Sequence, residues 1–325
     1  MKNAKPPFSI TEQMLSDVIE IGELVGKASI RSKISTNPTL RRTNRIRTIY
    51  SSLAIEQNSM DIEQITAVLS GKHVIAPPKD IAEVKNEYEI YECMDTLDPY
   101  STEDLLKAHS IMVRGIENEA GEFRSRPVGV VDSTGKILHF GTLPQYVPQL
   151  ITELLDWTKT SGIHILIKSC VFHYEFELIH PFSDGNGRMG RLWHTLLLSK
   201  WNTLFAWLPV ESIIHDRQDE YYKAINLSNS NGESTLFIEF MLSAIKEALQ
   251  ESIGVTKKQI TKSKTNSRID AICNYLDSHE YIQNNDVQIL LDVSSATATR
   301  ILRDMTKSGI ITKIKIGSHW GYKRA

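Results

Sequence analysis

Apolar residues recur at the helical period of about 3.6 along almost the whole chain, which restricts it to a mainly α fold with few interruptions. Met14, Val18, Ile21 and Val25 mark a first helix after Thr11, and the pattern lapses in the polar stretch 35–43. A second helix is expected over 45–56. A third runs from Asp61, paired with Gln64 as a capping box, to Gly71. Helices over 81–97, 102–116, 146–160, 163–178, 187–201 and 216–228 follow, and a last one runs from Leu236 through a lysine-rich stretch. Ser101 is placed to cap the helix beginning at 102. Before residue 300 the pattern breaks clearly once, at 127–140, where two β-rich runs flank Asp132-Ser133-Thr134-Gly135 as a hairpin. Such a hairpin is marginal alone, so it must pack on the helical body or await a partner strand.

With 325 residues, 41% hydrophobic and 23% charged, the chain can bury two cores, which excludes a disordered or disulfide-scaffold protein. Cys93, Cys170 and Cys273 have neither zinc nor bridge spacing and read as reduced residues. No leader-like or membrane-spanning stretch is legible, so a cytoplasmic protein without a membrane partner is expected. The formal net charge of -2 conceals an acidic body of net -8 over 1–254 and a basic tail of net +6 over 255–325. A basic tail suits a polyanionic partner, or simply solvates a linker.

The chemistry gathers in His180-Pro181-Phe182-Ser183-Asp184-Gly185-Asn186-Gly187-Arg188-Met189-Gly190-Arg191. Pro181 biases His180 out of the helical region and so ends one helix, and the glycines allow a tight turn before the next. Backbone N–H groups of such a turn converge at a helix start and make a site for an anion such as a diphosphate. Arg188 and Arg191, three apart, share a helix face and can grip phosphate oxygens. Asp184 would be repelled by those phosphates unless Mg²⁺ sat between them. His180 is the only nearby side chain whose unperturbed pKa suits a general base at neutral pH. Together these are parts for moving a phosphorus-centred group from a nucleotide to a hydroxyl. No Walker A pattern occurs, which excludes a P-loop NTPase. His173, seven residues before His180, lacks a third ligand at zinc spacing and reads as structural.

These twelve residues resemble the signature of the Fic family, HPFx[D/E]GNGRxxR, at every specified position. The resemblance implies a helical Fic fold with a β-hairpin flap and, most often, transfer of AMP from ATP to a hydroxyl side chain (Ser, Thr or Tyr). His180 would then deprotonate the acceptor, Phe182 anchor the loop, and Asp184 hold Mg²⁺. Gly185, Asn186 and Gly187 would form the anion hole, and Arg188 and Arg191 would bind the β- and γ-phosphates. Gly121-Glu122-Phe123-Arg124 is similar to the family's lead-in to the flap, on which a target protein would dock along 128–140 by strand addition. Tyr221 and Tyr222 resemble the adenine side of the pocket, and aromatic residues there could equally be core.

Ser52-Leu53-Ala54-Ile55-Glu56 resembles the family's inhibitory helix motif, in which the glutamate pairs with the second arginine and fills the γ-phosphate site; Ser52 is its other marker residue. Charge alone supports this, since a partly buried arginine awaiting phosphate is costly until a carboxylate compensates it. The match departs at Gln57, where Gly or Asn is expected.

Helices over 268–276, 286–291 and 295–307, followed by strands over 310–316 and 320–322, resemble a winged helix-turn-helix domain. Read as a DNA binder over 294–319, it would turn Ser294, Ser295, Thr297, Thr299, Arg300 and Arg303 to the major groove, with Lys313, Lys315 and His319 near phosphate. Read otherwise, the same domain docks a protein or a second copy of the chain. The expected order is an N-terminal helical region over 1–100 with the inhibitory helix at about 45–57, a catalytic core over 101–250, a linker over 251–267 and the winged helix over 268–325. A DNA-binding regulator or docking protein with a nucleotide-sensing body is the alternative from another class; removal of AMP, or use of another nucleotide, is the alternative among enzymes.

Overall fold

The computed structural model describes residues 5–31, 36–131, 137–291, 293, 295–316 and 319–324. The chain divides into two compact units between Ile253 and Gly254. The first is built from α1 (Glu12–Arg31), α2 (Pro38–Ile55), α3 (Ile62–Leu69), α4 (Pro78–Cys93), α5 (Thr102–Met112), α6 (Val147–Thr160), α7 (Ile165–Ile179), α8 (Asn186–Trp201), α9 (Val210–Asp216) and α10 (Gln218–Asn231), and from the start of α11 (Thr235–Ser278). An antiparallel hairpin, β1 (Gly129–Val131) and β2 (Ile137–Phe140), interrupts the helices. The turn at 132–136 lies outside the described residues. Among the described residues no helix is long and apolar enough to cross a membrane.

The position of the site follows from α7. A surface helix carries one apolar stripe, but α7 is apolar around its circumference and must be buried on all sides. Leu166, Ile167, Cys170, Val171 and Tyr174 feed a cluster shared with α1, α10 and α11. Phe172, Phe176 and Ile179 feed a second cluster shared with α2, α4, α5 and α8. Whatever leaves the C-terminal end of α7 is therefore held between two cores.

Several boundaries depart from the sequence expectation for physical reasons. The helix expected at 45 begins at Pro38, because Asn37 Oδ1 accepts the Leu40 N–H at 3.1 Å and Pro38 suits the first turn. Its apolar period is masked by buried polar residues, Asn44 and Arg45, the latter stacked over Tyr91 and Trp207 at 4.8 and 4.6 Å. The helix expected to reach 116 ends at Met112, ahead of Gly115 at φ 73°. The helix expected at 216–228 is preceded by a separate short helix, α9, and a break at Arg217. The last helix, expected from Leu236 through the lysine-rich stretch, is α11, and it includes the stretch 251–267 given to the linker.

The second unit comprises the C-terminal part of α11, α12 (Asn284–Leu291), α13 (Ser295–Lys307) and the hairpin of β3 (Ile311–Ile316) and β4 (His319–Arg324). A bridge between Ile282 and Tyr322 adds a short third strand position. Its core is Ile272, Leu276, Ile282, Val287, Ala298, Leu302, Met305 and Ile311. Three helices and a β-hairpin complete the helix-turn-helix plan read from the sequence.

Candidate active site

Residue 180 is where α7 stops. Its N–H still donates to Phe176 O at 2.9 Å, but its backbone turns to φ 53° and ψ 64°, the left-handed region. Such strain in a non-glycine residue persists only where its surroundings impose it. Buried Arg124 does so, donating from Nε to His180 O at 2.6 Å and from Nη2 to Ile179 O at 3.3 Å and to Thr142 O. The Arg124 backbone N–H meets Pro181 O at 3.0 Å. The start of the flap is thus stapled to the end of α7, and burial lowers the pKa of Arg124.

Beyond Pro181 the loop is fixed from inside. Phe182 is fully buried, and the Asn186 side chain brackets it, accepting its N–H and donating to its carbonyl at 2.8 Å each. The Asn186 side chain is therefore a loop brace. His109 of α5, which no motif marks, stacks on Phe182 with 3.6 Å between ring centroids. Its Nδ1 accepts the Gly121 N–H at 3.0 Å, so Nε2 carries the proton shared with Asp184 O at 3.0 Å. Burial drops the His109 pKa to about 4 and keeps it neutral for both bonds. Lone histidines on helices usually pack silently, so only the fold reveals this one.

Gly185 at φ 81° opens α8, and Asp184 Oδ1 accepts its N–H at 2.6 Å. Arg188 and Arg191 are both buried, yet they meet different carboxylates. Arg188 lies 3.4 Å from Glu83 Oε1 on α4 and 3.6 Å from Asp184 Oδ1, with Glu87 of α4 in its field. Burial pushes Glu87 up to about 7. Arg191 donates to Glu56 Oε1 at 2.8 Å, to Ser52 O at 3.0 Å and to Ser52 Oγ at 3.3 Å. Burial works against its charge, and the Glu56 carboxylate overcomes that, holding Arg191 above its ordinary pKa.

Glu56 also touches the start of α8. A Cβ added to Gly187 would collide with Glu56 Oε1, so only a bare backbone admits the carboxylate here. A carboxylate therefore rests against the first turn of a helix, beside an arginine, where the helix dipole favours an anion. Glu56 caps the C-terminus of α2, and Gln57 follows at φ 66°. That left-handed position explains the preference for Gly or Asn there, which Gln57 overrides at a cost of about 1–2 kcal/mol.

The remaining sequence candidates are placed as follows. Asp184 is 39% exposed, with Oδ2 3.9 Å from Lys79 Nζ. Tyr221 is buried, its hydroxyl 3.2 Å from His173 Nε2, and Tyr222 is partly buried beside it. Tyr221 is thus a core residue that presents no surface to a ligand. Among the described residues no cluster of three or more His, Cys, Asp or Glu is arranged to hold a metal. In the second unit Ser295, Thr299, Arg300 and Arg303 are exposed on α13, and Thr299 accepts from Asn284 Nδ2 at 2.8 Å. Lys313 and Lys315 lie on β3, with Lys313 Nζ over the Trp320 ring at 4.4 Å. Ser294 and the side chain of His319 lie outside the described residues.

A Fic/DOC family model matches residues 99–198 and a DeoR-like helix-turn-helix model matches 268–319. The chain is similar over 99% of its length, at 38% identity and TM-score 0.76, to the crystal structure of a Fic family protein from Desulfovibrio desulfuricans G20, of which it covers 98%. The fold is shared with Fic-1 of Caenorhabditis elegans at TM-score 0.60 and 22% identity, over 75% of each chain. Among curated relatives, the protein adenylyltransferase fic-1 of C. elegans is 28% identical over 222 residues, 64% of this chain and 41% of its own. The protein adenylyltransferase Fic of Nematostella vectensis is 27% identical over 220 residues, 64% of this chain and 48% of its own. The chain spans less than half the length of these curated relatives.

Proposed function

The chain belongs to the Fic family, and from that premise we propose that it is a nucleotidyltransferase that moves AMP from ATP to a Ser, Thr or Tyr hydroxyl of a target protein or of itself, held back by Glu56. In the transfer, His180 takes the proton from the acceptor hydroxyl and that oxygen attacks the α-phosphorus. The bond from this phosphorus to the oxygen bridging to the β-phosphorus breaks, and pyrophosphate leaves. The Glu177 carbonyl, 3.3 Å from His180 Nδ1, supports a proton on that nitrogen and makes Nε2 the basic one. The Gly185-Asn186-Gly187 backbone and Arg191 would bind the β- and γ-phosphates once Glu56 withdraws. Arg188, locked by α4, adds positive potential from beneath.

The residues present suit Mg²⁺ held with the nucleotide, because the ion takes one or two carboxylates and completes its shell with phosphate and water, and Asp184 is one half-exposed carboxylate at the phosphate end. When bound, the ion would neutralise phosphate charge. ATP as donor and free thiols at Cys93, Cys170 and Cys273 accord with a cytoplasmic setting.

The observation that carries this reading is the Glu56 carboxylate seated on the Gly187 backbone and on Arg191, an internal anion in an anion site. Incubating the chain with labelled ATP and Mg²⁺ tests it: Glu56→Gly should label itself or a lysate protein more strongly than the parent, and His180→Ala in that background should abolish labelling. Unchanged labelling in both variants removes the assignment.

For the second unit, Arg300 and Arg303 exposed on α13 of a helix-turn-helix favour duplex DNA as a partner. Binding by the full chain should weaken steeply with salt, since phosphate contacts release counterions. Salt-independent binding, or none at low salt, points instead to protein docking.

A further inference from the structure

A second acidic residue stands beside the base. Glu177, one turn before His180 on α7, places Oε2 3.9 Å from His180 Nδ1, the nitrogen that also faces the Glu177 carbonyl at 3.3 Å. Its Oε1 is 4.0 Å from His173 Nε2 and has no hydrogen-bond partner among the described residues. The crossing of α7 over α8 keeps it there: a Cβ added to Gly190 would come within 2.9 Å of that Oε1 and 3.0 Å of His173 Cδ2. A buried carboxyl oxygen without a hydrogen-bond partner costs stability, and such perturbed groups gather at functional sites.

We propose that Glu177 is a positioning residue for His180, whose side-chain carboxyl group aligns the imidazole and offsets the charge it gains on taking the acceptor proton. This rests on the transfer reaction proposed above. The physical basis is the pairing of a buried carboxyl with the nitrogen remote from the reacting one, which fixes the tautomer and stabilises the imidazolium.

The groups facing Glu177 set when it can act. His173 lies on its own helix and His180 just past its end, Arg191 on α8, Tyr221 and Tyr222 on α10, and Glu56 at the end of α2. Burial and then the Glu56 charge push its pKa up, and Arg191 draws it down, leaving it at about 8. Two carboxyl groups share the field of one arginine, and in the resting protein Glu177 is held largely protonated at neutral pH. Removing the Glu56 charge lowers the pKa of Glu177 and favours its ionised form beside His180. Glu56 therefore restrains the enzyme twice, at the phosphate site and through Glu177.

The test uses the full chain carrying Glu56→Gly, with labelled ATP and Mg²⁺, and follows kcat, KM for ATP and the pH profile of kcat. Adding Glu177→Gln should lower kcat about tenfold or more, leave KM for ATP within twofold, and remove the rise of activity with pH that tracks Glu177 ionisation. Glu177→Asp should restore part of kcat, with a pH limb that returns at a displaced pH. In a His180→Ala background Glu177→Gln should have no further effect. The proposal is overturned if Glu177→Gln keeps kcat within twofold with the same pH profile, or if it raises KM with kcat unchanged. If Glu177→Gln melts well below the parent, the Glu177→Asp pH profile decides, and one superimposable on the parent's overturns the proposal. Loss of transfer in Glu56→Gly itself, or its survival in His180→Ala, would instead discard the transfer reaction.

Discussion

The two flanks of α8 carry the same charge and treat it differently. On the α4 flank, Arg188 faces Glu83, whose side chain is 8% exposed, and Glu87, which is wholly buried. On the α2 flank, Arg191 faces Glu56, 37% exposed, at the very end of its helix. A carboxylate in the middle of a packed helix cannot leave without unfolding it, whereas one at a helix C-terminus can swing into water. The first arginine is thus built in, and the second is the one that the proposed reaction can free.

The largest effect should come from the α2 flank. Glu56→Gly should raise self-labelling by more than about tenfold, which needs only about 1.4 kcal/mol of released competition. Arg191→Ala should cancel that gain, since the freed guanidinium is what the activation uses. Labelling at or below the parent level would put the two flanks on the same footing.

On the built-in side the readout is stability. Glu83→Ala leaves the Arg188 charge buried with less compensation and should cost about 3 kcal/mol in denaturant unfolding. Glu56→Ala also strips buried Arg191 of its carboxylate, but where Glu56 is more than a third exposed water can reach the guanidinium in its place, so the cost should be smaller, about 1–2 kcal/mol. Equal costs would erase the distinction.

Gln57→Gly should sharpen the α2 flank from the opposite direction. Relieving φ 66° there should stabilise the chain by about 1 kcal/mol, raise Tm by a few degrees and lower basal labelling, because the cap holding Glu56 becomes firmer. A drop in Tm would show that the Gln57 side chain contributes more than its backbone costs.

The smallest effect concerns the loop itself. His109 is neutral in the fold with a pKa of about 4, below its ordinary 6.5, so the unfolded chain binds more protons between those values. Its contribution to stability is complete above pH 6.5 and is lost as pH falls toward 4. His109→Gln should flatten that part of the stability curve measured by thermal melting, and an unchanged slope would assign it to other groups such as buried His194.

The helices and the shape of the loop were legible because local rules govern them. The Asp61 capping box, the Ser101 cap and the span of α13 all stand where the residues placed them. Boundaries failed where tertiary burial overrode pattern: Asn44 and Arg45 look like solvent-facing residues and are core. Tyr221 shows the converse, an aromatic beside the site that the fold spends on packing and on His173.

Residue order alone determined that a helix must stop at His180, that a glycine turn must follow, and that two arginines must share a helix face, since proline sterics and helical spacing act over a few residues. It could not determine which carboxylates those arginines meet, nor that Arg124 and His109 converge on the loop. Those partners come from α2, α4, α5 and the start of the flap, tens of residues away, and side-chain chemistry is indifferent to sequence distance. Only the packing of α7 between two cores brings them within hydrogen-bonding and Coulomb range, and only there does burial give each pairing its energy.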